Sequence, residues 1–225
     1  MSAGISHELN QPLAAVRTYA DNARAFLERG QADMAKSNLS GISELTEGMA
    51  FIIRNLRTYA RDEMVEAKPT SVVAALRAAL GLLEARITSE NVTIVESLPD
   101  GEEVMAMAGD VRLQQVFVNI ISNALDALRD ATTKEIHIAV EDSKNRVKVR
   151  IRDSGPGIRT EDLTDIFDPF VSTKSVGSGM GLGLSISDSI IRQFRGTIEA
   201  ENAQDGGAEF TITLPCAERL GAYVA

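Results

Sequence analysis

The chain has 225 residues, 23 Lys and Arg against 32 Asp and Glu, and a formal charge of -9. That length holds one large or two modest domains, and with 44% apolar and 24% charged residues it can bury a core, which excludes a disordered chain. The acidic balance excludes broad nucleic-acid binding, no apolar run approaches the ~18–20 residues of a membrane span, and the single cysteine, Cys216, cannot form an internal disulfide.

Apolar residues recur at Leu9, Leu13, Val16, Ala20, Ala23 and Leu27, the seam spacing of a helix in a coiled coil or bundle. Arg29-Gly30-Gln31 breaks this helix, and a second seam runs Leu39, Ile42, Thr46, Met49, Ile53, Leu56, Ala60. Two helices of similar length joined by a short Gly-containing turn predict an antiparallel hairpin. One hairpin buries little, so two are expected to pair as a four-helix bundle, which makes the chain a homodimer. The helical pattern begins almost at the first residue, and sequence upstream of Ser6 is expected to have been cut away.

Lys68-Pro69-Thr70-Ser71 reads as a linker ending in a helix N-cap, with a helix over residues 71–87. Strands are expected at Val92–Val95 and Val104–Met107, then a long apolar helix over Val111–Leu128. Ile136–Val140 and Val147–Ile151 form a hairpin around Ser143-Lys144-Asn145. A Gly-rich stretch precedes a helix near Leu182–Phe194 and strands at Gly196–Ala200 and Ala208–Leu214. Helices mixed with hairpin-joined strands predict an α+β fold, with helices on one face of a mixed sheet.

Within Ser6-His7-Glu8-Leu9-Asn10-Gln11-Pro12-Leu13, His7 lies two residues before a seam position and projects into solvent, where Glu8 could orient its ring or take its proton. Pro12 removes the hydrogen bond to the Glu8 carbonyl at a cost of ~3 kcal/mol and predicts a kink beside the histidine. On the long helix, Asn119 and Asn123 stand four apart on one face with Asp126 nearby, and their amide oxygens suit Mg²⁺ shared with nucleotide phosphates. Asp153-Ser154-Gly155-Pro156-Gly157 ends a strand in a carboxylate that can accept from an exocyclic amine. Phe167, Pro169 and Phe170 precede Ser172-Thr173-Lys174 and then Gly177-Ser178-Gly179-Met180-Gly181-Leu182-Gly183, alternating glycines that offer backbone N–H groups and a helix end to phosphate. No Gly-Lys-Ser/Thr follows, so this is not a P-loop. His137 alternates inside a strand and reads as structural, as does Cys216.

In order, these segments are an H-box, an N-box, a D-x-G-x-G segment, an F-box and a G-x-G-x-G segment, and nearly the whole chain resembles a two-component sensor histidine kinase core. His7-Glu8-Leu9-Asn10-Gln11-Pro12-Leu13 further resembles the subgroup that includes the C4-dicarboxylate transport sensors. The resemblance implies a dimerising phosphotransfer hairpin over residues 1–67, a Bergerat-type ATP-binding domain over 68–217 and a tail over 218–225. It implies that His7 takes the γ-phosphoryl group of ATP with Glu8 as base and passes it to an aspartate on the receiver domain of a response regulator. Asn123 would hold Mg²⁺, Asn119 would lie beside the phosphates with Asp126 nearby, and Asp153 would read the adenine amine. Gly155 and Gly157 would shape the base pocket; Phe167 and Phe170 of the F-box would belong to the nucleotide site, with ordinary core packing as their alternative; Lys174 would sit in the mobile lid; Gly179, Gly181, Leu182 and Gly183 would line the triphosphate. The family also implies the cytoplasmic portion of an inner-membrane sensor, with its anchor outside this chain.

Two departures carry content. Where the related gyrase and MutL ATPases place a glutamate that activates water, this chain has Asn119, and an amide is no general base. Many histidine kinases follow the histidine with Glu-x-x-Thr or Glu-x-x-Asn to position water for dephosphorylation, whereas here that place is Gln11, preceded by Asn10, so at most moderate phosphatase activity is expected. A gyrase- or MutL-like ATPase and a non-catalytic ATP-binding dimeric scaffold are the alternatives.

Overall fold

The computed structural model describes residues 2–43, 45–46, 67–99, 104–143, 145–168, 171, 181 and 183–217, with side chains from residue 13 onward. These residues fall into two compact units, the N-terminal helices and the residues from 67 on.

The first unit is a helical hairpin. Helix α1 (Ser2–Glu28) runs through Pro12 and ends where the Gly30 N–H donates to the Leu27 carbonyl at 3.0 Å and the Gln31 N–H to the Phe26 carbonyl at 2.8 Å. Those two bonds, with Gly30 at φ +73°, form a Schellman cap, a left-handed turn that costs glycine nothing. Helix α2 follows over 32–43 and returns along α1. Ala23 and Ala35 are buried where the helices approach, and a Cβ on Gly41 would come within 2.8 Å of the Tyr19 ring. Leu13, Leu27, Met34 and Leu39 remain about half exposed, so one hairpin does not cover its own apolar stripe. The expected second seam beyond residue 46 lies outside the described residues.

The second unit begins with a strand, β1 (Lys68–Ser71), in the segment read from sequence as a linker. It pairs antiparallel with β3 (Met105–Ala108), a partner far along the chain, and the local pattern of Lys, Pro, Thr and Ser gave no strand signal. Pro69 is tolerated because the ladder has only two strands. Ser71 caps α3 (Val72–Ser89) as its sequence predicts, its hydroxyl accepting from the Ala74 N–H at 3.3 Å.

The main sheet has the order β2-β4-β5-β7-β6, formed by β2 (Thr93–Ser97), β4 (Glu135–Ser143), β5 (Arg146–Asp153), β6 (Thr197–Asn202) and β7 (Ala208–Pro215). Only β2–β4 is parallel, so the sheet is mixed, as expected. The pleat sends alternate side chains to one face. Ile136, Ile138, Val140, Val147, Val149, Ile151, Phe210, Ile212 and Leu214 share it and are buried. Against this face lie α3, α4 (Asp110–Ala127) and α5 (Gly183–Gln193), through residues such as Leu76, Phe117, Ile120, Leu125 and Ile190. The opposite face is polar and carries His137, whose ring pairs with Glu135 at 3.0 Å. Cys216 is buried beside β3 through a bridge to Ala106. No described helix is long and apolar enough to cross a membrane.

Candidate functional site

Parity along β5 decides the environment of Asp153. Val147, Val149 and Ile151 point into the core, so Asp153, two residues on, ends the same apolar row and is only 3% exposed. Burial pushes its carboxyl above the ordinary carboxylate range, and the N–H groups of Gly155 and Ala208 oppose that shift. Both donate to the same oxygen, Oδ1, at 2.8 and 3.3 Å. Oδ2 takes no hydrogen bond among the described residues, so the carboxylate keeps one acceptor for a ligand.

The backbone closes tightly behind this group. A Cβ on Gly207 would stand 1.8 Å from the Asp153 carbonyl oxygen, and its φ is +86°, so only glycine fits. On the other side Gly155 packs against the end of α4, where an added Cβ would lie 3.2 Å from the Ala127 carbonyl oxygen. Gly157 turns at φ +79° beside Asn202, whose side chain holds the next residue, Ile158, by two hydrogen bonds.

Helix α4 carries the other polar groups. Asn119 is buried, and its amide donates to the Gly183 carbonyl at 3.1 Å and to the Ser187 hydroxyl at 3.3 Å. It thereby joins α4 to the first turn of α5, the helix that the Gly-rich segment leads into. Its own oxygen takes no hydrogen bond among the described residues. Asn123 lies one turn further on, half-buried. Asp126, grouped with the asparagines in the sequence, is engaged across the helix interface by Arg86 of α3 at 2.5 Å. Arg86 also donates to the Ser122 hydroxyl at 3.1 Å and to Glu90 at 2.7 Å. Burial lowers the pKa of Arg86, but these hydrogen bonds outweigh it and hold the guanidinium above its ordinary value.

Asn119 meets Gly183, and Ala127 meets Gly155, so one helix links the Gly-rich end of the site to the Asp153 end. The eight residue steps from Asn119 to Ala127 span about 12 Å at 1.5 Å per residue, on the scale of the reach from phosphates to base in an extended nucleotide. No cluster of three or more His, Cys, Asp or Glu exists among the described residues. Asn119 and Asn123 of α4 carry amide oxygens, a set that suits a hard cation such as Mg²⁺ only when phosphate oxygens complete the shell.

Gly181 is left-handed at φ +63° and Phe167 is half-buried after a series of turns. Phe170, Lys174, Gly179 and Leu182 lie outside the described residues, as do the side chains of His7, Glu8, Asn10 and Gln11, whose backbone belongs to the first turns of α1. Sequence reading passed over Ser187, Asn202, Gly207, Ala208 and Arg86. The Gly206-Gly207 pair ahead of a strand was a legible sign of close backbone approach; nothing local marked the others.

Residues 108–218 match the family described as histidine kinase-, DNA gyrase B- and HSP90-like ATPases, and residues 1–64 match the His Kinase A (phospho-acceptor) domain. The C4-dicarboxylate transport sensor protein DctB of Pseudomonas aeruginosa is 40% identical over 95% of this chain and 35% of its own length. DctB of Rhizobium meliloti is 39% identical over 95% of this chain and 34% of its own. The chain thus spans about a third of these relatives. The catalytic domain of histidine kinase ThkA aligns with a TM-score of 0.60 at 32% identity, covering 67% of this chain and 98% of that one. ThkA in complex with the response regulator TrrA aligns with a TM-score of 0.73 at 25% identity, covering 97% of this chain and 62% of that one. With its phospho-acceptor helices joined to an ATPase-type domain built around Asp153, Asn119 and the Gly-rich end of α5, the chain belongs to the sensor histidine kinase family.

Proposed function

We propose that the protein undergoes ATP-dependent autophosphorylation on His7 and passes the phosphoryl group to an aspartate on the receiver domain of a response regulator. A nitrogen of neutral His7 supplies an electron pair to the γ-phosphorus, the bond to the β–γ bridging oxygen breaks, ADP leaves, and the ring N–H proton passes to Glu8. Asp153 accepts from the adenine amine through Oδ2. Asn119 and Asn123 face the triphosphate, with Asn123 as the protein ligand to Mg²⁺, and Gly179, Gly181, Leu182, Gly183 and Lys174 enclose the phosphates with Phe167 and Phe170. The cation supplies charge neutralisation at the phosphate oxygens.

The observation that carries this reading is Asn119. Its amide is spent on Gly183 and Ser187, and an amide cannot deprotonate water, so the site holds ATP without a built-in base for hydrolysis. The half-exposed Leu13, Leu27, Met34 and Leu39 support pairing of two hairpins into a four-helix bundle. Likeness to the ThkA–TrrA complex over 97% of the chain supports the response-regulator partner. Likeness to the DctB proteins, named C4-dicarboxylate transport sensors, supports C4-dicarboxylates as the signal; an inner-membrane sensor with this portion on the cytoplasmic side rests on the resemblance of the sequence to the family alone.

Incubation with γ-labelled ATP and Mg²⁺ tests the core of this reading. Acid-labile, alkali-stable label on the protein, absent from His7→Gln, is expected. Free phosphate released without protein label would favour the gyrase-like alternative instead.

A further inference from the structure

One side chain fixes the far end of the loop that begins at Asp153. Asn202, the last residue of β6, accepts from the Ile158 N–H through Oδ1 at 2.7 Å and donates through Nδ2 to the Ile158 carbonyl at 2.6 Å. The pair reproduces on one side chain the double exchange that two facing residues make in an antiparallel ladder. A primary amide suits this role because it holds a donor and an acceptor side by side; a carboxylate has no donor. Asn202 is exposed, so this clamp is not forced by the need to satisfy buried groups.

The near end of the same loop is held by the residue opposite. Asn202 pairs with Ala208 in the β6–β7 ladder, and the Ala208 N–H donates to Asp153. The turn between them is closed by the Ala203 N–H on the Gly207 carbonyl at 3.0 Å and tied to β5 by Arg152, which reaches Asp205 and the Gly206 carbonyl. One hairpin end therefore grips residues 153 and 158, while the intervening Gly155-Pro156-Gly157 contains two glycines that would otherwise leave the loop many conformations.

We infer that Asn202 is a positioning residue for the base of the nucleotide: it sets the loop after Asp153 before the ligand arrives, so binding of the base, and not of the triphosphate, depends on it. Preorganisation of this kind raises affinity by removing the cost of ordering. The inference rests on the assignment of Asp153 to the adenine amine.

The test compares Asn202→Ala, Asn202→Asp and Asp153→Asn in the full 225-residue chain. Calorimetry would measure ATP and inorganic tripolyphosphate binding with Mg²⁺, autophosphorylation would give KM and maximum rate, and ligand-free melting would report the fold. Loss of both hydrogen bonds in Asn202→Ala should weaken ATP binding about tenfold. The KM for ATP should rise in step, with the saturated rate and tripolyphosphate affinity unchanged. Asn202→Asp, which keeps the acceptor but sets a carboxylate oxygen against the Ile158 carbonyl, should weaken ATP binding as well. Equal losses for ATP and tripolyphosphate that track the melting temperature would overturn the inference, as would unchanged ATP affinity in Asn202→Ala while Asp153→Asn abolishes binding. If Asp153→Asn also binds ATP normally, the adenine assignment fails and takes the inference with it.

Discussion

Replacing Asp153 with asparagine should separate binding from stability. The carboxylate is 3% exposed at the end of an apolar row, and burial raises its pKa, so its charge is costly in the ligand-free fold. Asparagine keeps an oxygen that accepts from Gly155 and Ala208, which holds its NH₂ in the place of Oδ2. The fold therefore loses neither bond and sheds the burial cost. The nucleotide fares differently. A hydrogen bond to a charged acceptor contributes about 1.5–3 kcal/mol and an unsatisfied buried donor costs about 1–3 kcal/mol. Two donors facing each other should thus weaken ATP by about 3–5 kcal/mol, or roughly two to four orders of magnitude. Because the folded pKa lies above the unfolded one, the contribution of Asp153 to stability is fully present below the ordinary carboxylate range and is lost as pH rises through the raised value. The advantage of Asp153→Asn in melting temperature should accordingly grow from acid toward neutral pH. Calorimetry with Mg²⁺ and ATP, and melting curves at several pH values, check both halves. A variant that binds ATP like the parent yet melts several degrees lower at neutral pH would refute the reasoning and make Asp153 a structural carboxylate.

Gly207→Ala would place a Cβ 1.8 Å from the Asp153 carbonyl oxygen at a left-handed φ, and should destabilise the domain by more than about 3 kcal/mol in urea titration. A change within about 0.5 kcal/mol, the range of ordinary surface substitutions, would contradict the close approach. Arg86→Ala removes the tie from α3 to Ser122 and Asp126, groups that are partly screened by solvent, and should cost about 1–3 kcal/mol of stability. Adding Asp126→Asn should recover part of that loss, since it removes the carboxylate charge that Arg86 had offset. For dephosphorylation, the chain with Mg²⁺ should speed decay of a phosphorylated regulator only modestly, and Gln11→Ala should change it little; rapid decay that the substitution abolishes would show that Gln11 positions water.

The helix carrying the first seam, the N-cap at Ser71, the β4–β5 hairpin and the helices α3 to α5 were legible because each follows from periodicity or turn chemistry within a short window. So were the chemistry-bearing residue types of the site, whose order along the chain marks the family. Strand β1 was not, because Lys68–Ser71 becomes a strand only by pairing with β3 more than thirty residues on. Nor was the role of Asp126, read beside the asparagines but drawn to Arg86 forty residues earlier in the chain. The burial of Asp153 was half visible in the alternation of β5, yet one of the two N–H groups on its Oδ1 comes from a hairpin fifty-five residues away. The sequence determined by itself most of the helices and strands and the order of residue types that marks the family, since these rest on local spacing. Only the tertiary structure decided which amides converge on Asp153, which glycine has no room for a Cβ and which asparagine grips the loop, because those contacts join segments that the chain keeps apart.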